Sequence, residues 1–427
     1  MITELEVRGL RALRHVRASL SNFQVLVGAN ATGKSTFFDA VLLIRDVLTG
    51  GLEKAVFGDL RFGIPSRAAD PRDLAWNRGT SRIELAITAS LPDSVRKKIK
   101  DRYGLARYEL AIETEPLGLA SETLWLLKDA EQMPTRGSSE EVAEFFPQDA
   151  EPPETIVTPL QARKPPRWRK VVVRYPDSGN DAFYSETSGW SSSFRLGPRK
   201  SALASLPEDE EKFPAATWFK QMLMEGVYRL ALNPDTMRLP CPPALQGGLF
   251  PDGSNLPWVV HEMEKQNPER IREWREHIAT ALDDISGMET HERAEDRSRY
   301  LVLKYNNGLA APSWVLSDGT LRLLALTLLA YMTVRPSIIL IEEPENGIHP
   351  RAIETVLQAL SSVYDSQVFL ATHSPIVLSQ VKLDNLLCFG KTPSGAADVI
   401  PGREHPRLRT WKSALHLGDL FAMGVLG

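Results

Sequence analysis

Apolar and polar positions in the first third of the chain follow the patterns of strands and one helix. Residues 2–8 and 23–27 are apolar or alternating, which is typical of β-strands, and the second segment leads into a helix-like apolar run at residues 36–44. Further strand-like segments are residues 82–89, 107–113 and 123–127. The first two of these alternate as half-exposed antiparallel strands do. The pattern therefore predicts a strand–helix unit followed by an antiparallel subdomain.

The middle of the chain loses this regular pattern. Residues 134–216 contain eleven prolines and several acidic runs, around one strand-like segment at residues 170–175. Because prolines and clustered polar residues interrupt regular structure, we predict a loop-rich insertion here. Its role stays open between a functional surface and a solvated linker.

Periodic patterning returns in the C-terminal half. Apolar residues recur at helical spacing over residues 217–230 and 256–285, and residues 300–305 have the pattern of a strand. From residue 315 to residue 379 strand-like and helix-like segments alternate, as they do in a parallel sheet with helical crossovers. We predict an α/β fold with a mixed sheet, an antiparallel subdomain and a loop-rich and helical insertion. The predicted domains are an N-terminal lobe (1–130), an insertion or helical subdomain (131–299) and a C-terminal lobe (300–427).

Composition and charge disfavour several classes of protein. The net charge of −4 lacks the basic excess that a DNA-wrapping protein would usually have. The two cysteines, Cys241 and Cys388, are far apart and have no metal-ligand spacing, which favours a reducing compartment over disulfides or zinc. The N-terminus has no signal-peptide pattern and the apolar windows are too short to span a bilayer. We therefore expect a cytoplasmic protein with no membrane partner.

Residues 28–35 have the sequence Gly-Ala-Asn-Ala-Thr-Gly-Lys-Ser, which is the G-x-x-x-x-G-K-[ST] phosphate loop. The loop lies between a predicted strand and a predicted helix, where backbone N–H groups and the helix N-terminus would face phosphates. Lys34 would reach the β- and γ-phosphates of ATP, and the Ser35 hydroxyl would ligate Mg²⁺. The alternative is a glycine-rich strand–helix turn. The candidate nucleotide-binding residues of this segment are Gly28, Asn30, Gly33, Lys34, Ser35 and Thr36.

A pair of carboxylates follows a strongly apolar segment near residue 340. Residues 338–341 are Ile-Ile-Leu-Ile and precede Glu342 and Glu343, which is the form of a Walker B strand. Glu342 would hold Mg²⁺ directly or through a water, and Glu343 would polarise the attacking water. The first position is more often Asp, so Mg²⁺ coordination through the longer Glu342 would be less direct. The alternative is a buried strand that ends in a solvated acidic turn.

Two more segments suit a nucleotide site. Ser317-Asp-Gly-Thr opens an apolar helix that Ser317 can cap, and Gly319 permits close backbone approach. Because the chain already has a phosphate loop, this second anion-binding helix end makes best sense when it acts on the nucleotide of another subunit. His373 ends the next strand-like segment and can serve as hydrogen-bond donor and sensor toward the γ-phosphate. A common turn and a surface histidine are the alternatives.

Taken in chain order, these segments resemble the ABC/SMC-like ATPases. More narrowly, Ser-Asp-Gly-Thr, Glu-Glu-Pro-Glu-Asn-Gly-Ile-His-Pro and Thr-His-Ser-Pro resemble the RecF/OLD-like AAA family ATPases, which are common in bacterial anti-phage systems of the PARIS and Septu kind. That group also shares the segment Asp252–Pro257. The resemblance implies a head-to-tail homodimer or higher homo-oligomer that holds ATP between the phosphate loop of one subunit and Ser317 and Gly319 of the other. It further places Asn346 and His349 at the dimer interface, and Arg11 or Arg14 near the adenine.

The resemblance leaves the biological role open between three classes. OLD proteins continue into a Toprim nuclease domain, whereas the tail from Asp384 holds no Asp-x-Asp metal set and ends in a predicted apolar helix, Trp411–Gly427. We therefore expect an ATPase that acts as sensor or regulatory subunit of an antiviral defence system. Its partners would be an effector protein, a nuclease or toxin encoded nearby, and a DNA or phage-protein trigger. A RecF-like DNA-binding ATPase in DNA repair is the alternative, and a transporter subunit is disfavoured by the altered signature.

Overall fold

The computed structural model describes residues 1–128, 145–158, 168–174, 181–243, 248–409 and 417–422. The predicted apolar helix Trp411–Gly427 lies mostly outside these residues, of which Leu417–Ala422 is helical. No helix in the described part of the chain is long and apolar enough to cross a membrane.

The chain forms seventeen strands and twelve α-helices within the described residues. The strands are β1 Ile2–Leu10, β2 Leu13–Ser19, β3 Phe23–Val27, β4 Arg82–Ser90, β5 Leu105–Thr114, β6 Leu117–Leu127, β7 Trp168–Arg174, β8 Asp181–Tyr184, β9 Ser191–Phe194, β10 Val227–Leu230, β11 Ile285–Glu292, β12 Arg299–Tyr305, β13 Ala310–Pro312, β14 Ile338–Glu342, β15 Gln367–Thr372, β16 Leu386–Lys391 and β17 Ala397–Pro401. The helices are α1 Lys34–Gly50, α2 Leu52–Phe57, α3 Asp93–Lys98, α4 Pro214–Met224, α5 Pro234–Met237, α6 Leu256–Gln266, α7 Pro268–Ala279, α8 Asp318–Leu328, α9 Pro350–Ser361, α10 Pro375–Ser379, α11 Pro406–Arg409 and α12 Leu417–Ala422.

Three sheets organise these elements. A central sheet has the order β10-β14-β15-β3-β16-β17, and its first five strands are parallel whereas β17 is antiparallel. An eight-stranded antiparallel sheet has the order β2-β1-β4-β5-β6-β7-β8-β9, and a small antiparallel sheet joins β11, β12 and β13. The predicted α/β fold class, with a mixed sheet and an antiparallel subdomain, is confirmed.

Side chains of the central strands alternate between two hydrophobic cores. On one face, Leu26, Leu340 and Phe369 pack with α1 and the antiparallel sheet. On the other face, Val27 and Ile341 pack with α6, α7, α8 and α9. Because α1 is enclosed between two sheets, it is apolar around most of its circumference. This enclosure fixes the start of α1, and with it the phosphate loop, at the C-terminal edge of the central strands.

Two predicted helices are wrong in part. The segment 217–230 contains the end of α4 and then β10, because Gly226 ends the helix and residues 227–230 pair with β14. A Cβ on Gly226 would lie 2.5 Å from the Met222 carbonyl oxygen, so glycine is needed at this break. The segment 256–285 contains two helices, since Pro268 begins α7 directly after α6 ends.

The predicted loop-rich insertion contributes three strands to the antiparallel sheet. Strands β7, β8 and β9 extend the antiparallel sheet, and residues 145–158 lie across the outer face of that sheet. We call residues 145–158 the strap. Its Thr155 hydroxyl donates to Glu84 at 2.8 Å, and its Thr158 N–H donates to Glu109 at 3.0 Å. The domain boundaries given above stay a prediction.

Candidate functional site

The phosphate loop follows β3 and precedes α1 as the sequence predicts. Gly33 has φ of 101° and caps α1 through its backbone, and a Cβ on it would lie 3.1 Å from both Ala397 and Leu13. A Cβ on Gly28 would lie 2.3 Å from the Phe389 carbonyl oxygen. Both glycines are therefore required by close packing as well as by backbone conformation. Asn30 is exposed in the loop, and Thr36 is half-buried in the first turn of α1.

Lys34 is folded back onto its own loop. Its Nζ donates to the carbonyl oxygens of Gly28 at 2.7 Å and Ala29 at 2.8 Å, and the residue is buried. Burial lowers the pKa of Lys34, and the carboxylates of Glu343 and Glu342 oppose part of that effect. The Lys34 ammonium group thus lies within the phosphate loop, and the nearby carboxylates of Glu342 and Glu343 favour its charged form.

The end of β14 meets the start of α1 through a hydroxyl and a carboxylate. Ser35 Oγ donates to Glu342 Oε2 at 2.8 Å, although the two residues are 307 positions apart. The other carboxylate oxygen, Oε1, lies 3.0 Å from Nη2 of Arg229 on β10. The structure therefore brings together two of the residues that the sequence proposes around Mg²⁺, and adds an arginine.

Glu343 and His373 are also in contact. His373 Nδ1 lies 2.8 Å from Glu343 Oε1, at the ends of the neighbouring strands β14 and β15. Glu343 has φ of 47°, a region that a residue with a Cβ rarely adopts. Its second oxygen, Oε2, is buried without a hydrogen-bond partner in the described structure.

Glu345 forms a second enclosed carboxyl in this turn. Its Oε1 accepts from the Thr372 hydroxyl at 2.5 Å, and its Oε2 is buried without a hydrogen-bond partner among the described residues. Burial raises the pKa of Glu345 to about 7, and the nearby Glu343 carboxyl raises it further while Thr372 lowers it. Beside the Glu343 carboxyl, the enclosed Glu345 carboxyl is thus more stable when it is protonated.

The Ser317 segment is a capped and exposed helix N-terminus. Ser317 Oγ accepts from the Thr320 N–H at 3.1 Å, as an N-cap does. A Cβ on Gly319 would lie 2.2 Å from the Gly347 carbonyl oxygen, so this segment packs directly against the loop that follows β14. Arg238 holds the segment by donating to the Leu316 carbonyl oxygen at 3.1 and 3.2 Å and by pairing with Asp318. The prediction of a capped helix with a close glycine contact is confirmed as local geometry.

Residues that the resemblance assigns to the interface or the adenine have other contacts here. Asn346 is exposed, and His349 caps α9 by accepting from the Arg351 N–H at 3.3 Å. Arg11 pairs with Asp39 at 3.1 Å. Their roles toward a second subunit or adenine stay predictions.

Arg14 and the segment Asp252–Pro257 are likewise engaged within the chain. Arg14 pairs with Asp149 at 3.3 Å and Glu151 at 3.4 Å, both on the strap. The Asp252 carboxylate accepts from Ser254 in the turn before α6 and from Thr236 in α5. This segment therefore supports the loop after β10, which also carries Arg238.

Sequence reasoning missed Arg229 as a site residue. The segment that contains Arg229 was predicted as a helix. Nothing near this arginine in the sequence indicates that its partner is Glu342. Thr372 had a weak signal, since it precedes His373 at the end of the same strand. Arg238 could not be found from the sequence because it lies 80 positions from its partner Asp318.

The oxygen atoms of Ser35 and Glu342, which meet at the end of β14, suit a Mg²⁺ ion that is bound together with a nucleotide. Ser35 and Glu342 supply a hydroxyl and a carboxylate oxygen, which are the ligands that Mg²⁺ prefers when phosphates complete its shell. The described residues contain no group of three or more His, Cys, Asp or Glu side chains that would hold a metal without a nucleotide. A bound Mg²⁺ would neutralise charge on phosphate oxygens.

Comparison with known protein families assigns the chain to a class. Residues 23–379 match the family described as "AAA domain, putative AbiEii toxin, Type IV TA system", so the chain belongs to this family. The matched range contains the phosphate loop at residues 28–35 and the strands β14 and β15. The comparison with curated proteins found no match.

Solved structures of SMC head domains are similar to the chain. An SMC head bound to the C-winged helix domain of ScpA is 16% identical, with 93% of this chain and 97% of that chain covered and a TM-score of 0.48. The SMC head domain from Thermotoga maritima is 10% identical, with coverages of 94% and 98% and a TM-score of 0.42. A Smc head from Pyrococcus furiosus, bound to the C-terminal domain of ScpA, is 14% identical, with coverages of 93% and 95% and a TM-score of 0.45. At these values the likeness carries no information about activity or partners.

Proposed function

We propose that the chain binds ATP with Mg²⁺ and hydrolyses it. The observation that carries this proposal is the contact between Ser35 of the phosphate loop and Glu342 at the end of β14. These two groups are the ones that would hold the metal beside the β- and γ-phosphates, and Lys34 lies in the same loop. Gly33, with φ of 101°, lets the loop turn into α1, whose first backbone N–H groups would face the phosphates.

Glu343 is proposed to position the attacking water, and His373 to orient Glu343. The Nδ1 contact with Glu343 leaves Nε2 of the imidazole to face a phosphate, and both ring nitrogens donate when the ring is protonated. The Glu343 side chain is 23% exposed, so it is partly open to water. This division of roles makes Glu343 the residue whose loss stalls hydrolysis while ATP still binds.

The activity is measured as Mg²⁺-dependent phosphate release by the wild type and two variants. Lys34→Ala removes the cation at the phosphates and is expected to weaken ATP binding by at least about 10-fold. Glu343→Gln keeps the shape of the side chain, and we expect ATP to bind normally while turnover falls by about 100-fold. Wild-type turnover in Glu343→Gln would transfer the water-positioning role to Glu345. Absence of ATP binding by the wild type would contradict the proposal.

We further propose that ATP controls the release of a separate toxic effector in an antiviral defence system. The family description, which names a putative toxin of a type IV toxin–antitoxin system, supports a role in a system of this kind. The assignment of the toxic activity to a separate protein rests on the residues of the chain. All the chemically specific segments of the chain are accounted for by the nucleotide, which leaves nuclease or toxin activity to a partner. A change from mostly held to mostly released effector requires a difference in binding free energy of about 3–5 kcal/mol between the ATP-bound and ATP-free states.

The effector role is tested by co-expression with the product of the adjacent gene. We expect recovery of that product to differ between wild type, Lys34→Ala and Glu343→Gln, because the three are held in different nucleotide states. The purified chain alone is expected neither to cut nor to nick DNA with Mg²⁺ or Mn²⁺. Equal recovery in all three, or no recovery, would favour a stand-alone DNA-repair ATPase instead.

A further inference from the structure

The two oxygens of the Glu342 carboxylate have different partners. Oε2 accepts from Ser35 Oγ at 2.8 Å, and Oε1 lies 3.0 Å from Arg229 Nη2. A carboxylate held at both oxygens cannot rotate about its terminal bond without losing one contact. The side chain that ends β14 is therefore fixed from two sides, by α1 and by β10.

Arg229 reaches Glu342 along the edge of the central sheet. It lies in β10, the outermost strand, directly opposite Leu340 of the parallel neighbour β14. Glu342 is two residues further along β14, so it points to the same face of the sheet as Leu340. The guanidinium thus extends in the strand direction toward the C-terminal edge. The Arg229 side chain is 47% exposed and the Glu342 side chain 29% exposed, which leaves the pair in contact with solvent.

We propose that Arg229 is a positioning residue that holds Glu342 in the orientation needed to bind Mg²⁺ with Ser35. Glutamate has one more rotatable bond than the aspartate usual at this position, so its carboxylate would otherwise sample more orientations. Anchoring Oε1 to a planar guanidinium leaves Oε2 directed at the Ser35 hydroxyl. This inference rests on the proposed function, because it concerns the metal that would accompany ATP.

Partners of a metal-binding carboxylate set its geometry and affinity, and their loss typically weakens metal binding by 10- to 100-fold. The positive charge of Arg229 acts in the opposite direction, since it repels a nearby Mg²⁺. Because the guanidinium is about half exposed, solvent screens that repulsion. We therefore expect the orienting effect to dominate and removal of Arg229 to weaken Mg²⁺ binding.

The test measures binding of a fluorescent ATP analogue as MgCl₂ is titrated, and separately in excess EDTA. For Arg229→Gln we expect the Mg²⁺ concentration at half-maximal binding to rise about 10-fold, while affinity in EDTA changes by less than about twofold. Arg229→Lys keeps the charge but offers a single ammonium group, so an intermediate rise of about threefold is expected. Arg272→Gln is the matched control, since Arg272 is an exposed arginine that pairs with Glu269 on α7 at 3.2 Å.

A double variant tests whether Arg229 acts through Glu342. Glu342→Asp shortens the side chain and removes the rotatable bond that Arg229 restrains. In that background Arg229→Gln is expected to shift the Mg²⁺ midpoint by less than about twofold. Thermal midpoints of all variants report whether each is folded. If Arg229→Gln does not fold, the comparison of Arg229→Lys with wild type in both backgrounds decides the question.

Three outcomes would overturn the inference. An unchanged Mg²⁺ midpoint in Arg229→Gln would remove its positioning role, and a lower midpoint would show that charge repulsion dominates. An equal loss of affinity in EDTA and in Mg²⁺ would mean that Arg229 contacts the nucleotide itself. These results differ from failure of the proposed function, in which the wild type itself would show no binding of the ATP analogue.

Discussion

The carboxyl group of Glu345 has different contacts from those of the two other glutamates near the end of β14, Glu342 and Glu343. Glu342 is paired with a hydroxyl and an arginine, and Glu343 contacts a histidine. Glu345 has the Thr372 hydroxyl on one oxygen, and its other oxygen is enclosed without a partner among the described residues. A carboxyl in such surroundings is more stable when protonated, which explains why its pKa is raised to about 7.

The raised pKa makes the stability of the fold depend on pH at this residue. In the folded chain Glu345 keeps its proton up to about pH 7, whereas its ordinary pKa is 4.5. Stability is therefore lost as the pH rises through the folded-state pKa. Glu345→Gln cannot ionise and can still accept from Thr372. The measured quantity is the thermal midpoint of Glu345→Gln minus that of wild type. We expect this difference to be more positive at pH 8.5 than at pH 5.5.

The matched control for this prediction is Glu354→Gln, which changes an exposed glutamate on α9. Its midpoint relative to wild type is expected to be the same at both pH values, because an exposed carboxyl gains no burial cost on ionisation. An equal difference for Glu345→Gln at pH 5.5 and pH 8.5 would show that its carboxyl ionises as it does in the unfolded chain.

Motif residues could be predicted from the sequence because their chemistry depends on neighbours in the chain. The phosphate loop needs only a strand before it and a helix after it, and both are visible as apolar runs. Arg229 and Arg238 could not be predicted, since their partners Glu342 and Asp318 are distant in sequence. Local pattern thus finds the residues that would touch the nucleotide and misses those that hold them in place.

The same limit applies to whole elements. Helix α1 and strands β14 and β15 were predicted because continuous apolar runs mark elements that are buried on all sides. Strand β10 is four residues long and becomes a strand only by pairing with β14, so its sequence alone favoured a helix. Strands β8 and β9 likewise depend on the antiparallel sheet that they extend, whereas β7 was visible as the strand-like segment at residues 170–175.

The strap offers a test of packing between distant elements. Its Phe146 lies with its ring centroid 5.1 Å from that of His405, and it covers Gly390 of β16. A Cβ on Gly390 would lie 2.8 Å from Pro147 and 2.9 Å from Phe146, so the strap has to move to accept one. We expect Gly390→Ala to destabilise the fold by about 1–3 kcal/mol and to speed proteolysis between residues 145 and 158. Thermal unfolding and limited proteolysis with mapped cleavage sites measure the two effects.

Gly287→Ala serves as the control for the strap, because a Cβ on this strand glycine would meet no atom within 4 Å. Proteolysis of the strap in that variant is expected to match wild type. If Gly390→Ala were cut at the control rate and kept the control's thermal midpoint, the strap would not be held against β16 in solution.

At the level of the whole molecule, the phosphate loop and the Ser317 segment belong to opposite sides of the central sheet. The loop leads into α1 in the first core, whereas the Ser317 segment begins α8 in the second core. The Ser317 segment is exposed, and its hydrogen bonds run to Arg238 and within its own helix. A helix N-terminus of this kind is suited to an anion. We therefore expect it to act on the ATP held by a second copy of the chain.

Mixing two inactive variants tests this arrangement. Lys34→Ala disables the phosphate loop, and Ser317→Asp keeps a capping side chain while it places a negative charge toward the phosphates. In a head-to-tail dimer, each mixed pair contains one site in which both contributing segments are intact. Because half of randomly formed dimers are mixed and each regains one of its two sites, we expect the mixture to recover about a quarter of wild-type turnover.

The control mixture combines Lys34→Ala with Glu343→Gln, which disable the same half of each site. No mixed dimer then contains an intact site, so turnover is expected to stay at the level of the separate variants. Wild-type turnover per subunit should also rise with protein concentration until the dimer is saturated, unless the oligomer is stable throughout. Recovery in neither mixture, together with full activity of a wild-type monomer, would mean that one chain completes its own site. The Ser317 segment would then serve only to begin α8.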